Sequence, residues 1–65
     1  MNIGLNIKFT RIKLGIRQGE LAKKIGITKC SLSQIEAGKQ SPSMATLEKI
    51  ADGLNATVSE LTKDN

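Results

Sequence analysis

The chain has 65 residues: ten are Lys or Arg, six are Asp or Glu and none is His, for a net charge of +4. A single Cys without His excludes an internal disulfide framework and a Cys/His metal site, and no apolar run reaches the ~18 residues of a membrane span. With 38% hydrophobic residues and Phe9 as its single aromatic, the sequence reads as one small cytoplasmic domain over 1–65. It lacks the aromatic platforms on which single-strand and RNA binding lean.

Helical spacing dominates and alternation is scarce, so the expected fold is all-α, with five short helices at about 2–14, 18–25, 29–36, 44–53 and 58–63. In the first, Ile3, Ile7 and Leu14 share the inner face, and Gly15 ends the pattern. Leu21, Ala22 and Ile25 give the second, closed by Gly26. Thr28 N-caps the third, whose inner face is Leu32 and Ile35, and Gly38 stops it. Ser43 N-caps the fourth, with an apolar stripe of Met44, Leu47, Ile50, Ala51 and Leu54. Asn55 suits the left-handed backbone that follows a helix. Thr57-Val58-Ser59-Glu60 has the form of a capping box, with Val58 and Leu61 facing inward.

The charge is uneven. Residues 1–40 hold Lys8, Arg11, Lys13, Arg17, Lys23, Lys24, Lys29 and Lys39 against Glu20 and Glu36, a balance of +6. Residues 41–65 hold Lys49 and Lys63 against Glu48, Asp52, Glu60 and Asp64, a balance of −2. A polyanion would therefore meet the first part of the chain. The plainer reading of such an excess is a solvated surface.

The most informative stretch runs from Gln18 to Glu36. It is two helices joined by a tight turn. Ala22 is small where the helices cross, and Gly26 supplies the positive φ of the turn. The second helix turns Lys29, Cys30, Ser33, Gln34 and Ala37 outward. These side chains are short or uncharged except Lys29, which suits a helix entering a groove ~12 Å wide.

These residues resemble the helix-turn-helix domain of phage repressors and Cro proteins, the XRE family, with the lambda-repressor-like fold. The likeness runs from about Ile7 to Leu61. It is carried by Arg11, by Gly15-Ile16-Arg17-Gln18-Gly19-Glu20-Leu21-Ala22, by Ile35-Glu36-Ala37-Gly38-Lys39 and by Pro42-Ser43. It continues through Leu47-Glu48-Lys49-Ile50-Ala51, Leu54 and Val58-Ser59-Glu60-Leu61. The resemblance implies a double-stranded-DNA-binding transcriptional regulator of the repressor kind, with activation by contact with polymerase mechanically open to it as well. It would bind a pseudo-palindromic operator as a homodimer, with helix 29–36 in the major groove.

By the same resemblance, Lys29, Cys30 and Gln34 take base-reading positions. Gln suits adenine N6 and N7, and Lys suits guanine O6 and N7. Gln18 takes the position of a glutamine that holds a backbone phosphate. Arg17, Thr28, Ser31, Ser33 and Lys39 complete the phosphate set, with capping as the plainer role for Thr28 and solvation for the others. Arg11 and Glu36 match a structural ion pair between the first and third helices.

Three features depart from the family pattern. Arg17 stands where a capping Ser or Thr is usual. Gly19 replaces a better helix former, which weakens the helix but admits a close backbone approach to DNA. Gln40-Ser41-Pro42-Ser43 carries no Arg for the minor groove. Two further features lie outside the resemblance. Leu5, Phe9 and Ile12 form a second apolar stripe on the first helix, expected to pack partly against the C-terminal helix, with a protein-contact surface as the alternative. Cys30 is read as a small groove-facing side chain rather than a redox switch. A protein-binding module, such as an antitoxin or coactivator-like adaptor, is the alternative to a regulator. The sequence offers no enzyme's nucleophile-base set, and no cofactor or metal is expected.

Overall fold

In a computed structural model, residues 3–62 are described. They contain five helices and no strand: α1 (Ile3–Lys13), α2 (Gln18–Ile25), α3 (Lys29–Glu36), α4 (Met44–Gly53) and α5 (Val58–Leu61). The expected bounds agree closely, and the outermost expected residues, 2 and 63, lie outside the described residues.

Local chemistry accounts for the starts. The Thr28 hydroxyl accepts from the Ser31 N–H at 3.0 Å, and the Ser43 hydroxyl accepts from the Thr46 N–H at 3.2 Å. Each such cap contributes about 1 kcal/mol. α2 starts differently. Arg17 has no acceptor to offer, so only the reverse half of a capping box forms, with the Glu20 carboxylate accepting from the Arg17 N–H at 3.2 Å. At α5 the Thr57 hydroxyl accepts from the Glu60 N–H at 3.1 Å, as expected. The Glu60 carboxylate, however, accepts from the Thr57 hydroxyl at 3.3 Å, which corrects the expected full box.

The stops use left-handed backbone. Gly26 has φ 79°, and its neighbour's N–H, that of Ile27, donates back to the Ala22 carbonyl at 3.0 Å, closing α2 and turning the chain into α3. Asn55, at φ 56°, does the same after α4 without glycine's freedom.

Ile7, Leu21, Ala22, Leu32, Ile35, Leu47, Ile50, Ala51, Leu54 and Leu61 form one buried cluster fed by all five helices. Ile3, Ile16, Ile25, Ile27, Ala56 and Val58 close its edges. Two expected core residues are corrected. Leu14 is exposed because it stands just past the last residue of α1, where the chain turns toward α2. Met44 is exposed because it opens α4; helix side chains lean toward the N-terminus, so the first one projects past the packed layer.

The second stripe on α1 is also corrected. Phe9 is 61% exposed and Ile12 55%, rather than packed on α5. α1 meets α5 through Asn6, whose side-chain amide donates to the Leu61 carbonyl at 2.8 Å. α5 is only four residues long, so it covers α1 at Asn6 and leaves Phe9 and Ile12, further along the helix, uncovered.

Candidate nucleic-acid interface

α3 has two faces. Leu32 and Ile35 are fully buried, while Lys29, Cys30, Ser33, Gln34 and Ala37 are exposed along the opposite side. The turn geometry at Gly26 and the Thr28 cap fix where α3 begins and hence which residues form that outer face. The Gln34 amide lies 3.9 Å from the Cys30 sulfur, one turn back, so the two share one patch.

Of the sequence-assigned phosphate residues, Ser33 lies on this face itself and others flank it on both sides. On one side lie Arg17 and Gln18, at the start of α2. Lys29 leans this way: its stem lies beside Gly19 of α2. On the other side Ser31 is half-buried, and its hydroxyl accepts from the Gln40 amide at 3.3 Å. Lys39 follows the end of α3 and is exposed. Ser31 is thus engaged with a residue of the α3–α4 loop and set back from the outer face that carries Ser33. Thr28 already spends a lone pair on its cap.

Behind the first rim is a polar network. The Arg11 guanidinium donates through Nε to Glu36 Oε2 at 2.8 Å and through Nη2 to Oε1 at 3.0 Å. Its Nη1 donates to the Ile16 carbonyl at 2.9 Å, which fixes the loop entering α2. The Gln18 amide donates to Glu36 Oε1 at 3.2 Å. Arg11 is 9% exposed and Glu36 6%, so the expected ion pair is bidentate and nearly dry. No buried side-chain nitrogen or oxygen among the described residues lacks a partner.

Two residues here escaped the sequence reading. Lys8 joins Arg11, Gln18, Ser33, Glu36 and Ala37 around an open depression of about 350 Å³, adding a cation to this rim. Its signal was present: it stands one turn before Arg11. Gly4 lies where α1 crosses α3, with space for no side chain at all. By contrast, a methyl added at Gly19 would meet only the Lys29 stem, at 3.8 Å. Gly19→Ala should therefore raise stability, by up to about 1 kcal/mol. A thermal melt checks this; a lowered midpoint would show that α2 tolerates no side chain there.

An all-α core carrying two helices across a tight left-handed turn, with the second helix presenting a polar outer face, defines a helix-turn-helix protein. The chain belongs to the HTH_3 helix-turn-helix family, XRE type, which matches residues 7–61. It is 40% identical over 55 residues to an uncharacterized HTH-type transcriptional regulator of Archaeoglobus fulgidus, covering 85% of this chain and 79% of that one. It is 34% identical over 61 residues to the immunity repressor protein of Bacillus phage phi105, covering 94% of this chain but 42% of the repressor. Among solved structures it resembles SinR, the master regulator for biofilm formation, in complex with DNA. There the TM-score is 0.88 at 40% identity, over 94% of this chain and 98% of the other. Among the described residues no helix is long and apolar enough to cross a membrane, and no cluster of three metal-ligating side chains occurs.

Proposed function

We propose that this chain is a sequence-specific, double-stranded-DNA-binding transcriptional regulator that represses by occupying its operator. The observation that carries the reading is the outer face of α3: five exposed, mostly short side chains at the centre, with cations and helix N–H groups on its rims. Likeness to a phage immunity repressor and to SinR in complex with DNA supports it.

In this reading α3 enters the major groove. Lys29, Cys30 and Gln34 meet base edges, and Arg17, Gln18, Thr28, Ser31, Ser33 and Lys39 position the domain on phosphates. The free N–H groups at the start of α2 assist Gln18. The described residues extend 28 × 23 × 19 Å, less than one ~34 Å turn of B-DNA, so an operator with two half-sites takes two copies. That size supports homodimeric binding to a pseudo-palindrome as part of the proposal.

Selection of bound duplexes from a random DNA pool tests the proposal. A palindromic consensus with half-sites one helical turn apart is expected, and no enrichment over bulk DNA would refute it. On the selected site, Gln34→Ala should cost about 1–3 kcal/mol of binding and relax preference at one base position per half-site. A uniform loss across all sequences would instead assign Gln34 to phosphate.

A second reading, a protein-binding adaptor of the antitoxin kind, draws on the exposed Phe9 and Ile12. A partner retained in high salt, where nonspecific DNA binding collapses, together with an absence of duplex enrichment, would favour it.

A further inference from the structure

α1 is apolar on the side turned away from the core. Phe9 and Ile12 stand well out in solvent, and Leu5, at 39%, extends the strip by one turn. Their spacing puts all three on one helical face, opposite the buried Gly4, Ile7 and Arg11. Single exposed apolar side chains are ordinary. A contiguous strip holding the only aromatic of the chain has the form of a contact surface. Lys8 and Lys13 flank it; both are exposed, and neither joins an ion pair among the described residues. α1 itself contains no acidic residue.

Charge selects the occupant. Two copies packed α1 against α1 would gather the lysines of both with no carboxylate on either α1 to offset them, and like charges brought together oppose association. A lipid surface would attract the lysines, but the strip offers three side chains on a helix whose other half is buried, a shallow anchor. An amphipathic helix with its own apolar stripe and Asp or Glu at the edges satisfies strip and flanks together. We infer that the Leu5, Phe9 and Ile12 face of α1 is a docking surface for an acidic amphipathic helix of a partner protein. Because α1 turns Gly4 and Arg11 toward α3, the strip points away from α3. The apolar contacts of the partner and the outer face of α3 therefore lie on different sides of the molecule, with Lys8 at the edge between them.

The test is a titration of ¹⁵N-labelled protein with two synthetic helical peptides that share a Leu stripe, one edged with Glu and the other with Lys. Saturable shifts confined to α1 are expected with the Glu peptide and none with the Lys peptide. Phe9→Ser should raise Kd by about tenfold or more, and an unchanged melting temperature shows that the variant is folded. Absence of saturable shifts at millimolar Glu peptide, an equal response to both peptides, or wild-type binding by Phe9→Ser would overturn the inference. Sedimentation showing self-association that Phe9→Ser abolishes would assign the strip to a second copy instead. Tighter binding to phosphatidylglycerol vesicles than to the Glu peptide would assign it to lipid.

Discussion

Glu36→Ala is expected to lower the free energy of unfolding by about 3–5 kcal/mol. Glu36 is the acceptor for two Arg11 nitrogens and for the Gln18 amide, and all of this happens in a nearly dry setting. Removing the carboxylate leaves the guanidinium buried with one partner, the Ile16 carbonyl. That is a large share of the ~5–15 kcal/mol that holds a typical domain together. Urea titration followed by circular dichroism measures it. The paired variant Arg11→Met, Glu36→Leu should recover most of the loss, because no charge is then stranded. A loss below about 1 kcal/mol in Glu36→Ala would mean that the pair behaves like a surface salt bridge.

Gly4→Ala is the second large effect. A Cβ at Gly4 would sit 2.7 Å from the Glu36 carbonyl oxygen and closer still to that of Ile35. Both are helix backbone and cannot swing aside as a flexible side chain could, so α1 must lift away from α3. Overpacking of this kind costs about 1–3 kcal/mol or more. In a domain of this size that lowers the melting temperature by ~4–8 °C for each kcal/mol. Because Arg11 rides on the same helix, the shift also strains its bond to Glu36. An unchanged melt would show that the α1–α3 crossing adjusts freely. The contrast with Gly19→Ala is diagnostic. Two glycines in helices respond in opposite directions because one faces backbone and the other the end of a lysine stem.

The fold was legible in the sequence wherever local chemistry decides it. Thr28, Ser43 and Thr57 start helices, and Gly26 and Asn55 turn the chain after them, as their side chains or backbones require. The inner faces of α2, α3 and α5 also followed from spacing. Legibility failed where tertiary placement decides. Leu14 and Met44 have apolar side chains at suitable angles, but one lies past a helix end and the other at a helix start. Phe9 and Ile12 look packable, yet α5 is too short to reach along α1 from Asn6 and cover them. Gly4 carries no pattern at all in one dimension, since its role exists only once α3 crosses it. At the candidate site, the exposed face of α3 and the Arg11–Glu36 pair were readable. That Gln18 is wired to Glu36 was not, because the bond joins residues 18 apart that only the packing of α2 on α3 brings together.

On the proposed reading, the division of α3 into two faces also sets rules for rewriting what it would recognise. Positions 29, 30, 33, 34 and 37 face solvent and bear little of the load on the core, so new side chains there would exchange one sequence preference for another at little risk to folding. Glu36 cannot travel in such a graft. It sits on the same helix, yet its charge belongs to α1 and α2, and a recognition helix transplanted from a protein without that carboxylate would arrive with Arg11 unanswered. A library that varies only the five outward positions should therefore yield mostly folded proteins of differing specificity.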